Sequence, residues 1–320
     1  MPQASGLYQS PLLSQIAVDF KNRSYIADQV LTPVGVPKML GQYLLWDEGV
    51  TFKTPKTEMA QNAQANLLDV KATKVPFTLK THALQSVIDE LERDQAPEAQ
   101  IAAMKTVKLQ NALLLQREID VAAQLCSSSV ITQTDDLGGG DCWSGGDAST
   151  GTPITDIYAA NDSLPYRANT LVLGRDSFTA LRTNKQILDA LRGVAAPGTA
   201  SIAQLASLLE IDRILVGDAF VDTAGEGLAA DKELIWQESG GGGMALLCYV
   251  TPTPPSPLMD QPTLGYIPTL GGGSPTTRVY QWTDQNYGTG GGVQRIKAET
   301  AYGVLISAAS MGFLWTSVVS

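Results

Sequence analysis

Residues 97–125 read PEAQIAAMKTVKLQNALLLQREIDVAAQL, and this stretch decides the fold. Pro97 suits the first turn of a helix, and Glu98 lies favourably at the positive end of the helix dipole. No further proline or glycine occurs before Gly138, and strong helix formers dominate the stretch itself. The pattern predicts one helix about 40 Å long at ~1.5 Å per residue. Such a helix exceeds the usual globular length and favours an extended or flattened domain.

Apolar side chains fall on about one half of this predicted helix when it is drawn at about 100° per residue. Lys108 and Glu118 interrupt the stripe. A long core helix in an ordinary globular protein would explain the same stripe. The apolar members are Ile101, Met104, Val107, Leu114, Leu115, Ile119, Ala122 and Leu125.

The composition limits the class of protein. With 320 residues, the chain is long enough for two domains of ordinary size. Its charged fraction is only 17%, below the usual quarter, so much of the surface is expected to be covered by other copies. The net charge of −10 makes a general nucleic-acid binder a poor interpretation, because such a protein shows a basic stripe.

Cysteine usage and the last segment bear on the compartment. The three cysteines have neither metal-ligand spacing nor an even number for a disulfide framework, which favours a reducing compartment. Residues 300–320 carry no charge and are long enough to span a bilayer. Their β-branched and aromatic content, interrupted by glycine and serine, instead favours two buried strands at 303–308 and 313–319.

The first eighty residues predict two thin elements. Residues 1–40 show no long amphipathic period and contain Pro33 and Pro37, so we interpret them as an extended arm without its own core. Residues 41–80 predict an extended hairpin, with strands at 43–46 and 75–80. A hairpin with so little core must rest on something else, or it is a flexible surface excursion.

The rest of the chain predicts a compact α+β region and a return to the long helix. Residues 86–93 predict a short acidic helix, and 126–153 a loop whose aspartates and glycines are an alternative Ca²⁺ site. Helices are expected at 156–164, 177–182, 185–192 and from a Ser201 cap to 209. Strands are expected at 170–173 and 213–216, as a pair at 234–237 and 244–250, and at 276–283 and 293–298.

Recognisable catalytic motifs are missing from the sequence. His82 is the single histidine and has no nucleophile or acid pattern beside it, so we interpret it as structural or exposed. No lysine follows a glycine, which excludes a Walker-type phosphate loop, and there is no G-x-S-x-G elbow. The acidic residues Asp89, Glu90 and Glu92 lie in a segment that looks solvated. The sequence therefore indicates neither an enzyme nor a cofactor or metal site.

Six short blocks along the chain carry a resemblance to a known family. In this order they resemble the major capsid proteins of tailed bacteriophages. The blocks are YIAD at 25–28, VGVPK at 34–38, GQY at 41–43, LLLQREID at 113–120, TLVLGR at 170–175 and IDRILVGD at 211–218.

The resemblance implies an α+β capsid fold of the Hong Kong 97 phage type. It implies an N-terminal arm (1–40), an extended loop (41–80), a peripheral domain (81–150) with its spine helix (97–125), an axial domain (151–275), and returning strands of the peripheral domain (276–320). Contacts between subunits are expected in the arm and hairpin. The candidates are Tyr25, Tyr43, Trp46, Lys53, Lys56 and Phe77.

The implied function is a major head protein that self-assembles, as hexamers and pentamers, into an icosahedral shell. The shell encloses double-stranded phage DNA without sequence-specific binding, and no membrane is involved. Implied partners are a separate scaffolding protein, a portal and a decoration protein, with assembly in the host bacterial cytoplasm. The covalent lysine–asparagine cross-link known from the family has no matching residues here. The alternatives are an encapsulin-like compartment shell and a soluble enzyme of unknown type.

Overall fold

The computed structural model describes residues 8–9, 25–46, 57–59, 72–88, 98–144, 151–191, 199–225, 227–229, 231–238, 241–251, 263–271, 277–287 and 292–319. Its helices are α1 (Ala27–Val30), α2 (Glu98–Leu125), α3 (Pro153–Ser163), α4 (Arg175–Thr183), α5 (Lys185–Leu191) and α6 (Ile202–Leu209), with a 3₁₀ turn at Ala309–Met311. The first eight strands are β1 (Tyr8–Gln9), β2 (Thr32–Val36), β3 (Leu40–Trp46), β4 (Ala72–Thr78), β5 (Lys80–Ile88), β6 (Gln133–Asp136), β7 (Thr170–Gly174) and β8 (Arg213–Gly217). The remaining strands are β9 (Phe220–Asp222), β10 (Lys232–Leu234), β11 (Ala245–Cys248), β12 (Gly265–Leu270), β13 (Arg278–Asp284), β14 (Val293–Tyr302), β15 (Leu305–Ile306) and β16 (Gly312–Thr316).

The predicted long helix is confirmed as α2, and it lies on a seven-stranded sheet. Strand β14 pairs antiparallel with β5 on one side and with β13 on the other. Strand β12 continues this sheet with β2, β14 and β15, while β1 adds to the edge of β13. The first half of α2 buries Ala102, Leu109 and Leu113 against Ile88 and Ile296 of the sheet. This burial places the helix along the sheet rather than inside a bundle.

A second, five-stranded sheet runs in the order β6-β16-β11-β7-β8. Helices α3 to α6 pack on one face of it, in a core that also contains the buried indoles of Trp143 and Trp315. The predicted helices and strands of this region are largely confirmed. Helix α6 begins with the expected cap: the Ser201 hydroxyl accepts from Gln204 N, while the Gln204 side chain accepts from Ser201 N. This reciprocal capping box satisfies two otherwise unpaired backbone donors.

A third cluster joins the two sheets. Val121 and Leu125 at the end of α2 pack there with Val172 of β7, Leu246 of β11 and Ile267 of β12. The first part of the long helix therefore packs on the seven-stranded sheet, whereas its end packs against strands of both sheets. This dual contact fixes the two sheets relative to each other.

Within the expected arm (1–40), residues 26–36 lie against the body of their own subunit. Ile26, Val30 and Leu31 are fully buried in the third cluster, and α1 forms within this segment. Strand β2 pairs in parallel with β12, from Thr32 opposite Tyr266 to Val36 opposite Leu270. The segment contains few apolar residues, but they pack against a surface that is built from residues distant in sequence.

Two expectations about local elements before and after α2 are wrong. Residues 86–88 end strand β5 instead of starting an acidic helix, because Ser86 and Val87 pair with Ile296 and Arg295. The segment 126–153 is not only loop, since β6 joins β16 in parallel.

The C-terminal strands also depart from expectation. Ala245–Cys248 pairs with β7 and β16 and not with residues 234–237, the first of which, Leu234, ends strand β10 of the small β9–β10 ribbon. The last strand, Gly312–Thr316, belongs to the five-stranded sheet rather than to the sheet beneath α2. The described part of the chain contains no helix long and apolar enough to cross a membrane.

Candidate assembly surfaces

The predicted hairpin is present in its described part as an antiparallel pair of β3 and β4. The register runs from Leu40 opposite Thr78 to Trp46 opposite Ala72. Among the described residues no further strand pairs with either of them. At its base, Leu79 N donates to Met39 O and the Leu79 side chain is buried. The pair therefore leaves the body of the subunit as a two-stranded ribbon.

The two faces of this ribbon differ because side chains alternate along a strand. Tyr43, Val75 and Phe77 share a half-buried face. A Cβ atom on Gly41 would lie 2.5 Å from Cζ of Phe77, so the Phe77 ring covers the glycine directly opposite it. Aromatic rings that cover a cross-strand glycine strengthen a hairpin. Phe77, a predicted inter-subunit contact, therefore has at least one role inside its own subunit.

The opposite face and the base of the ribbon are exposed. Leu40 is 69% exposed and Met39 is 40% exposed, although both are large and apolar. The sequence analysis did not select them. The sequence could have indicated them, because Met39 and Leu40 are two large apolar residues directly before the predicted hairpin at 41–80. Exposed apolar side chains grouped at one place mark an interaction surface.

The remaining predicted contact residues have different positions. Tyr25 is half-buried and directly precedes Ile26. Tyr43 is half-buried, and burial raises the pKa of its hydroxyl. Trp46 ends the backbone pairing of β3. Lys53 and Lys56 lie outside the described residues.

Two blocks that the sequence analysis treated separately, at 25–28 and 113–120, bind each other. The carboxylate of Glu118, which is 1% exposed, accepts hydrogen bonds from Ile26 N (2.9 Å) and Ala27 N (2.9 Å) at the start of α1. It also accepts from the indole nitrogen of Trp236 at 2.6 Å. One buried carboxylate thereby joins the N-terminal segment, the long helix and the segment after β10. We call this arrangement the Glu118 junction.

Neighbouring side chains extend the junction. Arg117, also buried, pairs with Asp28 at 2.9 Å between Nη2 and Oδ2. Its guanidinium lies 5.9 Å from the ring centroid of Tyr302, whose hydroxyl donates to Asp120 at 2.6 Å. The sole histidine, His82, stacks on Tyr302 with ring centroids 4.5 Å apart. These contacts give His82 a structural role between β5 and β14.

Burial controls the protonation of the buried groups. It raises the pKa of Glu118 above 4.5, against the opposing effect of the three hydrogen bonds that favour the carboxylate. It also raises the pKa of the Cys126 and Cys248 thiols to about 12, so neither is poised as a nucleophile. No group of three or more His, Cys, Asp or Glu side chains within the described ranges is placed to hold a metal ion.

Comparison with known proteins decides the family. No protein-family model matches the chain. A major capsid protein of Pseudomonas phage JBD67 is 30% identical over 221 residues, which cover 68% of this chain and 71% of the relative. The chain belongs to the major capsid proteins of tailed bacteriophages. A major capsid protein of Burkholderia phage BcepMu is 25% identical to this capsid protein over 65% of the chain and 68% of that relative.

Solved structures share the fold of this capsid protein. A phage-related protein from Bordetella bronchiseptica RB50 superposes with a TM-score of 0.74 at 20% identity, covering 98% of both chains. The capsid of cyanophage P-SCSP1u gives a TM-score of 0.58 at 11% identity, over 99% of this chain and 92% of that one. At these identities the likeness concerns the fold alone, and it confirms an α+β phage capsid fold.

The resemblance drawn from the six sequence blocks is therefore confirmed at the level of the family. This capsid protein is a structural protein that self-assembles into the shell of the virion, and it is not an enzyme. The encapsulin-like and enzyme alternatives are not supported by these relatives.

Proposed function

We propose that this capsid protein builds an icosahedral shell of hexamers and pentamers around double-stranded phage DNA. In this proposal the subunit has the Hong Kong 97 type of division. Residues 41–80 are the extended loop, 81–150 carry the spine helix, and 151–275 form the axial domain. Residues 1–40 are the arm, which residues 25–36 anchor to the subunit, and residues 276–320 are the returning strands of the peripheral domain. Assembly takes place in the host cytoplasm, with a scaffolding protein, a portal and a decoration protein as partners.

The observation that carries this proposal is the β3–β4 ribbon. A two-stranded hairpin is marginally stable alone in water, and this one is tied to its own subunit mainly at its base. A neighbouring copy that covers the ribbon would bury Leu40 at roughly 25 cal/mol per Å² of apolar area. Inter-subunit contacts are accordingly assigned to the arm and ribbon, with Tyr25, Tyr43, Trp46, Lys53, Lys56 and Phe77 as the candidates.

Removing the ribbon tests the proposal. Leu40 and Thr78 face each other, so residues 41–77 can be replaced by an Asn-Gly turn that joins these two positions. We expect the shortened subunit to show the same thermal unfolding as the wild type, because the ribbon adds little to the cores. We also expect it to form no closed particles by negative-stain microscopy and light scattering, whereas the wild-type protein does. Closed particles of normal size from the shortened subunit would contradict the assignment.

A further inference from the structure

Charge is strongly segregated along this chain. The eighteen-residue run from Lys71 to Ile88 contains three lysines and no carboxylate. The run from Glu118 to Tyr166 contains eight carboxylates and neither lysine nor arginine, which accounts for most of the net charge of −10. The acidic residues of the second run are Glu118, Asp120, Asp135, Asp136, Asp141, Asp147, Asp156 and Asp162.

The structure places the lysines of the first run on the exposed ribbon and directly after it. Lys74 is exposed and shares a strand face with Pro76 and Thr78, which are exposed as well. Lys80 is exposed at the start of β5. The facing strand β3 has no charged residue, so nothing on it offsets these cations. The exposed face of the ribbon therefore combines positive charge with the exposed Leu40.

The acidic run reaches the surface at a sheet edge. Strand β6 is the outermost strand of the five-stranded sheet and pairs with β16 on one side. Asp135 and Asp136 on this strand are exposed, as is Asp141 in the following turn. Burial and, to a smaller extent, the charges of Asp135 and Asp141 raise the pKa of Asp156, while its hydrogen bonds with Trp143 and Thr152 lower it. The exposed carboxylates on β6 and in the turn that follows it, those of Asp135, Asp136 and Asp141, form a surface that we call the β6 acidic edge.

We propose that Lys74 on the exposed face of the ribbon, together with Lys80 at the start of β5 directly after it, docks on the β6 acidic edge of a second copy of this chain. The inference rests on the proposed shell function and names the surface that receives the ribbon. Two different surfaces of one chain that bind each other make a heterologous contact, which generates rings when the rotation closes. Electrostatic complementarity of this kind steers association and fixes the register.

The second copy is favoured over nucleic acid as the occupant because the chain itself supplies the complementary surface. A DNA-binding face requires a basic patch whose positive charge exceeds the negative charge of the rest of the molecule. This chain has a net charge of −10. In a shell, many copies present the β6 acidic edge at high local concentration, so weak ionic contacts are repeated around every ring.

Charge reversal and its rescue test the proposal. We compare Lys74→Glu/Lys80→Glu, Asp135→Lys/Asp136→Lys and the variant that combines all four changes. Each reversed pair places like charges at the contact, and we expect the protein concentration needed for half-maximal particle formation to rise about tenfold or more. The combined variant should regain most of the wild-type assembly, since its ribbon and its edge are again opposite in sign. Thermal unfolding of the four subunits should differ little, because every changed residue is exposed and the reversals remove one exposed hydrogen bond, the one that Gly138 N donates to Asp136.

The outcomes separate this inference from the shell function itself. Reversed variants that assemble like the wild type, or a combined variant that stays as defective as its parents, would overturn the docking. Normal assembly of Lys74→Glu/Lys80→Glu with loss of packaged DNA would overturn it in favour of a nucleic-acid contact. Failure of the wild-type protein to form particles would instead contradict the proposed function. A matched reversal at Lys232→Glu, an exposed lysine outside both surfaces, should leave assembly unchanged.

Discussion

Leu31 and Leu40 allow a matched test of how the N-terminal segment is used. The two leucines are nine positions apart, yet Leu31 is 0% exposed within the third cluster and Leu40 is 69% exposed at the base of the ribbon. Truncation of a buried leucine to alanine loses its transfer free energy and leaves a cavity, which together cost about 2–5 kcal/mol. Truncation of an exposed leucine typically changes stability by less than about 0.5 kcal/mol.

We therefore expect Leu31→Ala to lower the free energy of unfolding by about 2–5 kcal/mol, within a total that is typically about 5–15 kcal/mol. Leu40→Ala should leave unfolding unchanged and should instead weaken particle formation. The measurements are urea unfolding of unassembled subunits, followed by the fluorescence of the buried indoles of Trp143, Trp236 and Trp315, and light scattering of assembly. Equal unfolding free energies for the two variants would refute the assignment of residues 26–31 to the subunit core. Normal assembly of Leu40→Ala would refute the role of the ribbon base.

Three further predictions concern the same region. Deletion of residues 1–24 should leave the melting temperature, measured by circular dichroism, nearly unchanged. Deletion of residues 1–31 also removes the buried side chains of Ile26, Val30 and Leu31, so it should lower the melting temperature or prevent folding. Gly217→Ala should lower the free energy of unfolding, measured in urea, by about 1–3 kcal/mol, because the new Cβ would lie 2.3 Å from Cδ1 of the buried Trp236. The control Gly140→Ala should leave the free energy of unfolding unchanged, because its new Cβ would have no atom within 4 Å. The pKa of Glu118 is raised in the folded state, so between pH 4.5 and that raised value the native protein holds a proton that the unfolded chain has released. The unfolding free energy of the wild type, relative to Glu118→Gln, should therefore fall as the pH rises through this window, and a difference that stays flat or rises would show that the sign is wrong.

The sequence by itself determined the elements whose cause is local. Helix α2 follows from an uninterrupted run of strong helix formers, and its observed start at Glu98 is within one residue of the predicted Pro97. The cap of α6 follows from Ser201 and Gln204 at the spacing of a capping box. Strands β7 and β8 follow from short apolar runs, each ended by a glycine. Each of these signals lies within a few residues of the element it specifies.

Only the tertiary structure decided the parts whose partners are distant in sequence. Residues 25–28 look like an arm until Glu118, 92 residues after Ile26, provides the acceptor for its backbone N–H. Strand β6 is polar and contains two aspartates, which are depleted in strands, and it forms because β16, near the other end of the chain, offers a parallel edge. The last strand, β16, likewise belongs to the five-stranded sheet because it pairs with β11, which is distant in sequence. A backbone N–H group or a free sheet edge forms hydrogen bonds with whichever partner the fold brings close to it. The residues next to that N–H group or edge in the sequence do not indicate which partner this will be.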